Sequence, residues 1–154
     1  MKEIVICNSI GSYSGALTRG KEYVVIEENK EKEQIRIVDD NNRTRWYKKY
    51  YFVPHGTSVP VLAKWKFDDE IIDSSEKSLE HIEVTFTFSD GQRRWCSICT
   101  KQGLKDYVER NMDGNVLLIE NQIIVKDFSY EIVNRAFFDL DQQNELLNAS
   151  LLYN

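Results

Sequence analysis

The sequence predicts an α+β protein, with a small N-terminal β-barrel followed by an antiparallel sheet that has helices packed on one face. Three observations lead there. Residues 1–53 fall into short apolar runs of strand length separated by polar turns, the pattern of a small barrel. The only two prolines, Pro54 and Pro60, bracket His55-Gly56-Thr57-Ser58-Val59, which reads as a linker over 54–60. The remaining residues, 61–154, mix period-two and helical segments in the order strand-strand-strand-helix-strand-strand-helix-helix, which suits an antiparallel sheet backed by helices. A chain of 154 residues that is 42% hydrophobic has enough apolar surface for such cores.

In the first part, Ile4 to Cys7 is the first strand. Thr18-Arg19-Gly20-Lys21 leads into a second, Glu22 to Glu27, and Gln34 to Val38 is a third. Asp39-Asp40-Asn41-Asn42 forms a turn, because Asp and Asn bond their own backbone and tolerate left-handed geometry. Arg45 to Phe52 is the fourth strand and the most aromatic one.

In the second part, Val61 to Phe67 is a strand and Asp68 to Glu80 a polar, acidic loop. Ile82, Val84, Phe86 and Phe88 alternate with Glu83, Thr85 and Thr87, as in a half-buried strand. Asp90-Gly91 supplies a two-residue turn, and Arg93 to Cys99 returns. That register places Trp95 opposite Phe86 and Cys99 opposite Ile82. Thr100 caps a helix with Leu104, Tyr107 and Val108 on its apolar face. Asn115 to Ile119 and Gln122 to Val125 read as a second hairpin around Glu120-Asn121. Ser129 caps a helix that buries Ile132, Val133, Ala136, Phe137 and Leu140. Asp141 to Leu152 reads as a further helix, with Leu146, Leu147 and Leu151 inward.

Leu17-Thr18-Arg19-Gly20-Lys21-Glu22-Tyr23-Val24-Val25-Ile26 resembles the lead-in to the second strand of Src-homology-three-like barrels. Ile35-Arg36-Ile37-Val38-Asp39-Asp40 followed by Arg45-Trp46-Tyr47-Lys48-Lys49-Tyr50-Tyr51-Phe52 resembles the end of that fold, with Lys48 at the family's proline position. The resemblance covers residues 1–53. It implies a small β-barrel there and matches Tyr51 to the family's ligand-contacting tyrosine.

Few residues are arranged for catalysis. Trp95-Cys96-Ser97-Ile98-Cys99 resembles the thioredoxin-type redox motif, but positions three apart on a strand point to opposite faces. Their thiols would lie roughly 10 Å apart, beyond disulfide reach. The thioredoxin-type downstream cis-proline is also missing, since both prolines lie upstream. Cys7, Cys96, Cys99, His55 and His81 lack the paired spacing of a zinc site and read as small buried hydrophobes and isolated histidines. Asp141 and Glu145, at i and i+4, could share a helical face and hold a metal, although Asp141 suits an N-cap better. Gly11, Gly15 and Gly20 form no phosphate loop. The expectation is therefore a protein without catalytic residues, metal or cofactor.

Ten residues stand out, Arg43-Thr44-Arg45-Trp46-Tyr47-Lys48-Lys49-Tyr50-Tyr51-Phe52, which interleave four cations with five rings. Strand alternation buries Trp46 or Tyr47 but not both. Exposed rings with cations serve protein hot spots, and they also serve base stacking with phosphate contact. The bland alternative is that the rings close the ends of a small barrel. The formal net charge of −5 favours a partner other than a polyanion. Three cysteines, no apolar stretch long enough to cross a bilayer and no signal-peptide pattern suggest a cytoplasmic protein that does not engage membranes. The expected role is non-catalytic binding of a partner protein, as in bacterial inhibitors and immunity-type proteins. Arg43, Arg45, Trp46, Tyr47, Lys48, Lys49, Tyr50 and Tyr51 are the expected contact residues. Nucleic-acid binding through residues 43–52 is the alternative.

Overall fold

A computed structural model describes residues 1–68, 81–119 and 121–153. Most of the acidic loop expected over Asp68 to Glu80 therefore lies outside the described residues. The class is α+β, with eleven strands in three sheets and two α-helices among the described residues. The chain divides into two units, Met1–Val61 with Leu140–Glu145, and Leu62–Asp139 with Leu146–Asn154.

The first unit begins with β1 (Ile4–Cys7), followed by a long excursion and β2 (Glu22–Val24). The expected single strand from Glu22 to Glu27 breaks after Val24. Val25 still donates its N–H to Glu3, whereas the N–H of Ile26 turns to Arg36. The chain changes sheets at that bend and continues as β3 (Glu27–Asn29), β4 (Gln34–Val38) and β5 (Thr44–Lys48). The fourth strand likewise stops short of its expected end at Phe52. A 3-10 turn (Lys49–Tyr51), anchored by the Lys49 N–H on the Glu33 carbonyl at 2.8 Å, redirects the chain into β6 (Phe52–Pro54). That short strand pairs with β1.

The strand orders are β2-β1-β6 and β3-β4-β5. Among the described residues the ladders form two three-stranded sheets and not one closed ring. Alternation sends Ile35, Ile37 and Tyr47 inward to meet Val5, Cys7, Ile10, Leu17, Tyr23, Val25 and Phe52. The Asp39–Asn42 turn forms as its composition predicts. The Asp39 Oδ1 accepts the N–H groups of Asn41 and Arg43, and Asn42 adopts φ +58°.

The first unit also claims residues far along the chain. Arg19, 3% exposed, donates to the Asp141 carboxylate at 3.0 Å, the Asn144 side chain at 3.0 Å, and the Asn8 and Pro60 carbonyls at 2.9 and 2.6 Å. Its own N–H donates to the Gln142 side chain. Residues 54–60 are accordingly part of this unit and not a free linker, and Thr57 closes a turn onto the Pro54 carbonyl. Asp141 lies near the end of α2, not at an N-cap, and is a partner of Arg19.

The second unit is built on β7 (Leu62–Phe67), β8 (Ile82–Phe88), β9 (Arg93–Thr100), α1 (Lys101–Asn111), β10 (Gln122–Val125), α2 (Tyr130–Gln142, up to Asp139) and β11 (Leu151–Leu152). The sheet runs β10-β9-β8-β7, and β11 adds to β9 beside β10. The β8–β9 hairpin forms one residue out of the expected register. Phe86 faces Arg94, and Thr85 faces Trp95. The connection has three residues, Ser89 to Gly91, closed by Gly91 N–H to Phe88 and Phe88 N–H to Gln92. Gly91 takes φ +85° as the final, left-handed residue of such a loop. Cys96 therefore faces Val84 and Cys99 lies past Ile98, which itself faces Ile82.

The expected second hairpin does not form. Gln122–Val125 pairs with β9 in parallel, because α1 intervenes and returns the chain in the same direction. Thr100 caps α1 as predicted, with its hydroxyl accepting the Gly103 N–H at 3.1 Å. The helix expected over Asp141 to Leu152 is absent. α2 continues to Gln142, Asn144 turns at φ +59°, and Leu151–Leu152 forms a strand. Arg94 secures this tail by donating to the Ser150 hydroxyl and the Leu147 carbonyl.

The helices do not share one face of the sheet. Phe137 of α2 packs edge-on against Trp65 and Phe86 at 5.0 and 4.8 Å. Tyr107 of α1 packs edge-on against His81 at 4.4 Å, on the face that carries Cys99 and Gln122. The β9-α1-β10 crossover supplies this second layer.

Two predictions follow from the packing. Phe137→Ala should lower stability by about 3–5 kcal/mol in urea denaturation, since it opens a cavity between Trp65 and Phe86. Arg19→Met should cost about 3–5 kcal/mol by removing one partner of the buried Arg19–Asp141 pair, and Arg19→Met with Asp141→Leu should recover part of that loss.

Candidate partner-binding surface

The Arg43–Tyr51 segment starts at the Asp39 turn, runs out along β5 and ends in the 3-10 turn, so three local geometries place its side chains. Alternation along β5 divides them. Tyr47 points inward with Ile35 and is 1% exposed, while Trp46 points outward beside Arg36 and is 37% exposed. Tyr47 is thus a core residue and not a contact residue. Its hydroxyl donates to Asp39 at 2.7 Å, which satisfies both groups below the surface.

Tyr50 is the most exposed ring of the segment, at 69%. It is not loosely held. Its ring lies 4.6 Å from that of Tyr51, and Tyr51 meets Tyr13 edge-on at 5.7 Å. Tyr13 meets Tyr47 edge-on at 4.9 Å. A continuous run of rings therefore connects exposed Tyr50 to the buried Tyr47, and edge-to-face pairs of this kind favour one arrangement. Tyr51 is half-buried within the run. The sequence reading missed Tyr13, which lies 34 and 38 positions from its partners Tyr47 and Tyr51; its one local signal is an aromatic in a Gly/Ser-rich loop.

The cations are mostly engaged. Lys49 donates to Glu28 at 2.6 Å, which raises the lysine and lowers the carboxyl pKa relative to their usual ranges. Arg45 lies 3.9 Å from the buried Asp39 carboxylate. Lys48 donates to the Lys32 carbonyl at 3.1 Å. Neighbouring Arg36 pairs with Glu27 at 3.4 Å. Arg43 is exposed at the turn and gives its backbone N–H to Asp39. The pairing acids Glu27 and Glu28 lie on β3, which only the sheet brings alongside β4 and the 3-10 turn.

Asp39 organises the inner end of the segment. Burial pushes its carboxyl up. The hydrogen bonds from Tyr47, Arg43 and Asn41, with the Arg45 charge, outweigh that and hold it below the usual carboxylate range. Burial likewise pushes Tyr47 up to about 12, with the Asp39 hydrogen bond adding to it.

Elsewhere, the three thiols considered for chemistry are buried. Cys7, Cys96 and Cys99 are free thiols, each 0% exposed. Burial pushes Cys7 and Cys96 up to about 12 and raises Cys99 as well. His81 is half-buried, with Nδ1 facing the Gln122 amide at 2.8 Å, and His55 is exposed beside Glu22. Among the described residues no group of three or more His, Cys, Asp or Glu could hold a metal ion, and no helix is long and apolar enough to cross a membrane. Comparison with protein-family models, curated proteins and solved structures finds no match.

The Asp39–Tyr47 pair yields a pH-dependent prediction. A carboxylate with a depressed folded-state pKa adds stability above its unfolded value, near 4, and loses it as pH falls through the folded value. Tyr47→Phe should therefore cost about 1.5–3 kcal/mol near neutral pH. The gap to the native protein should narrow as pH falls from the unfolded value through the depressed folded value, where Asp39 takes up its proton in the native protein as well. Urea titrations at neutral pH and near pH 3 measure the difference.

Proposed function

We propose that this protein is a non-catalytic binding protein whose partner is another protein, in the manner of bacterial inhibitors and immunity-type proteins. The contact surface is the exposed part of the segment: Trp46 and Tyr50 at its centre, with Arg43, Arg45, Lys48, Lys49 and the edge of Tyr51. For the first unit we retain the Src-homology-three-like reading. In its support, the order is strand, long loop, bent strand, two further strands, a 3-10 turn and a short last strand paired with the first.

One observation carries the choice of a protein over a nucleic acid. The rings are exposed, while Lys49 and Arg45 already face carboxylates and Arg36 pairs with Glu27. A phosphate backbone draws its affinity from cations free to replace counterions. A protein partner needs rigid aromatic anchors with a polar rim, and exposed Trp46 opposite the paired Arg36 and exposed Tyr50 next to the paired Lys49 fit that description.

The test compares Trp46→Ala with Tyr50→Ala against Lys48→Ala with Lys49→Ala. The ring variant should raise the off-rate from a partner captured by the native protein by about tenfold or more. The lysine variant should alter mainly the on-rate and its salt dependence. Micromolar binding of a random single-stranded oligonucleotide at physiological salt, with a salt slope that falls in the lysine variant, would reverse the assignment.

A further inference from the structure

On the β7–β8–β9 sheet, directly opposed residues share a face. The register aligns Lys64 with Thr87 and Arg93, and Lys66 with Thr85 and Trp95. This is the face that bears α1 at its other end, around His81 and Cys99. Toward Arg93 it opens into a shallow depression of about 340 Å³, lined by Lys64, Lys66, Thr85, Thr87 and Arg93 with Trp65 at its edge. All three cations are exposed. Among the described residues none of them forms an ion pair, in contrast to Arg19, Lys21, Arg36, Arg45 and Lys49 of the first unit. Arg93 is held by cation–π contact with the Tyr153 ring at 5.1 Å. Asp68 is one described carboxylate beside the site, and Glu83 lies on the same face two residues before Thr85. Asp68 accepts from the Thr85 hydroxyl at 2.6 Å, and Thr85 also meets the Tyr153 hydroxyl at 2.9 Å.

Three cations that form no ion pair among the described residues, in one depression on a chain of net charge −5, mark a site for negative charge. Its spacing narrows the ligand. Lys64 and Lys66 stand two residues apart on one strand, about 6.8 Å, and Arg93 is two strands away, about 9.6 Å. An extended peptide repeats its side chains with that same 6.8 Å period. We propose that Lys64, Lys66 and Arg93 form a second binding site, which takes an extended acidic segment of a partner protein with carboxylates at alternate positions. The site is separate in sequence and in unit from the aromatic surface and does not depend on that assignment.

Fluorescence anisotropy with a labelled Glu-Ser-Glu-Ser-Glu-Ser peptide at low salt tests it. The peptide should bind, and Lys64→Ala with Lys66→Ala and Arg93→Ala should weaken it by about tenfold or more. The melting temperature should hold nearly steady, because the three side chains are exposed. Lys48→Ala with Lys49→Ala should leave peptide binding unchanged, which separates this site from the first. A Glu-Glu-Glu-Ser-Ser-Ser peptide of equal charge should bind more weakly. Equal affinity for the two peptides, or no effect of the triple variant, overturns the proposal. Tighter binding of a random single-stranded oligonucleotide than of the peptide, lost in the triple variant, overturns it in favour of a nucleic-acid site.

Discussion

Burying a guanidinium is costly unless every donor finds an acceptor, and the first unit is organised around meeting that requirement for Arg19. The long excursion between β1 and β2 delivers Arg19 to the interior and is closed on either side by Cys7 N–H to Lys21 and Gly20 N–H to Cys7. Gly20 sits there at φ +87°, where a Cβ would come within 2.9 Å of a Val61 methyl, so glycine satisfies both the backbone and the packing. The guanidinium then draws in the Asn8 and Pro60 carbonyls and, from more than a hundred residues away, Asp141 and Asn144. Ile10 N–H and the Ser9 hydroxyl add bonds to Gln142 and Gln143. An ion pair this deeply buried contributes little net stability compared with a well-packed apolar replacement, but losing one partner is severe. The pair therefore specifies which segment docks more than it strengthens the docking.

A second buried acid, Asp39, relates core to surface in the same unit. Its two oxygens close the turn before β5 and receive the Tyr47 hydroxyl. Tyr47 in turn supports Tyr13, Tyr51 and Tyr50 in sequence. An exposed ring that stands on a packed series of rings loses little conformational entropy when it is covered. That is the property expected of an aromatic anchor, and it distinguishes Tyr50 from an incidental exposed apolar residue.

In the second unit the parallel strand β10 has consequences beyond topology. It obliges α1 to cross the sheet, and α1 covers only the end of that face around Cys99 and His81. Among the described residues the other end is lined by Thr85 and Thr87 between Lys64, Lys66 and Arg93. Lysines on a terminal strand also discourage edge-to-edge aggregation, so the same residues that await an acidic ligand protect the sheet when none is bound.

Much of the local structure was legible in the sequence. The period-two run from Ile82 to Phe88, the Thr100 cap, the Asp39–Asn42 turn and the positive φ of Gly91 depend on residues within a few positions of one another. Alternation also correctly allowed only one of Trp46 and Tyr47 to be buried, but which one it was followed from the β4 register with Ile35. One extra loop residue shifted the β8–β9 pairing, because hairpin register depends on loop length and Ser89-Asp90-Gly91-Gln92 fits two lengths. The candidate surface was legible as composition and not as geometry. Rings and cations could be counted, but the acids that pair with them, Glu28 and Asp39, and the ring that supports them, Tyr13, are neighbours only in space. The sequence by itself determined the strands, caps and turns, since their energies arise between residues close along the chain. Only the tertiary structure decided the parallel return of β10, the capture of Asp141 by Arg19 and the pairing of Lys49 and Arg45 with Glu28 and Asp39, since those energies arise between groups that no local period relates.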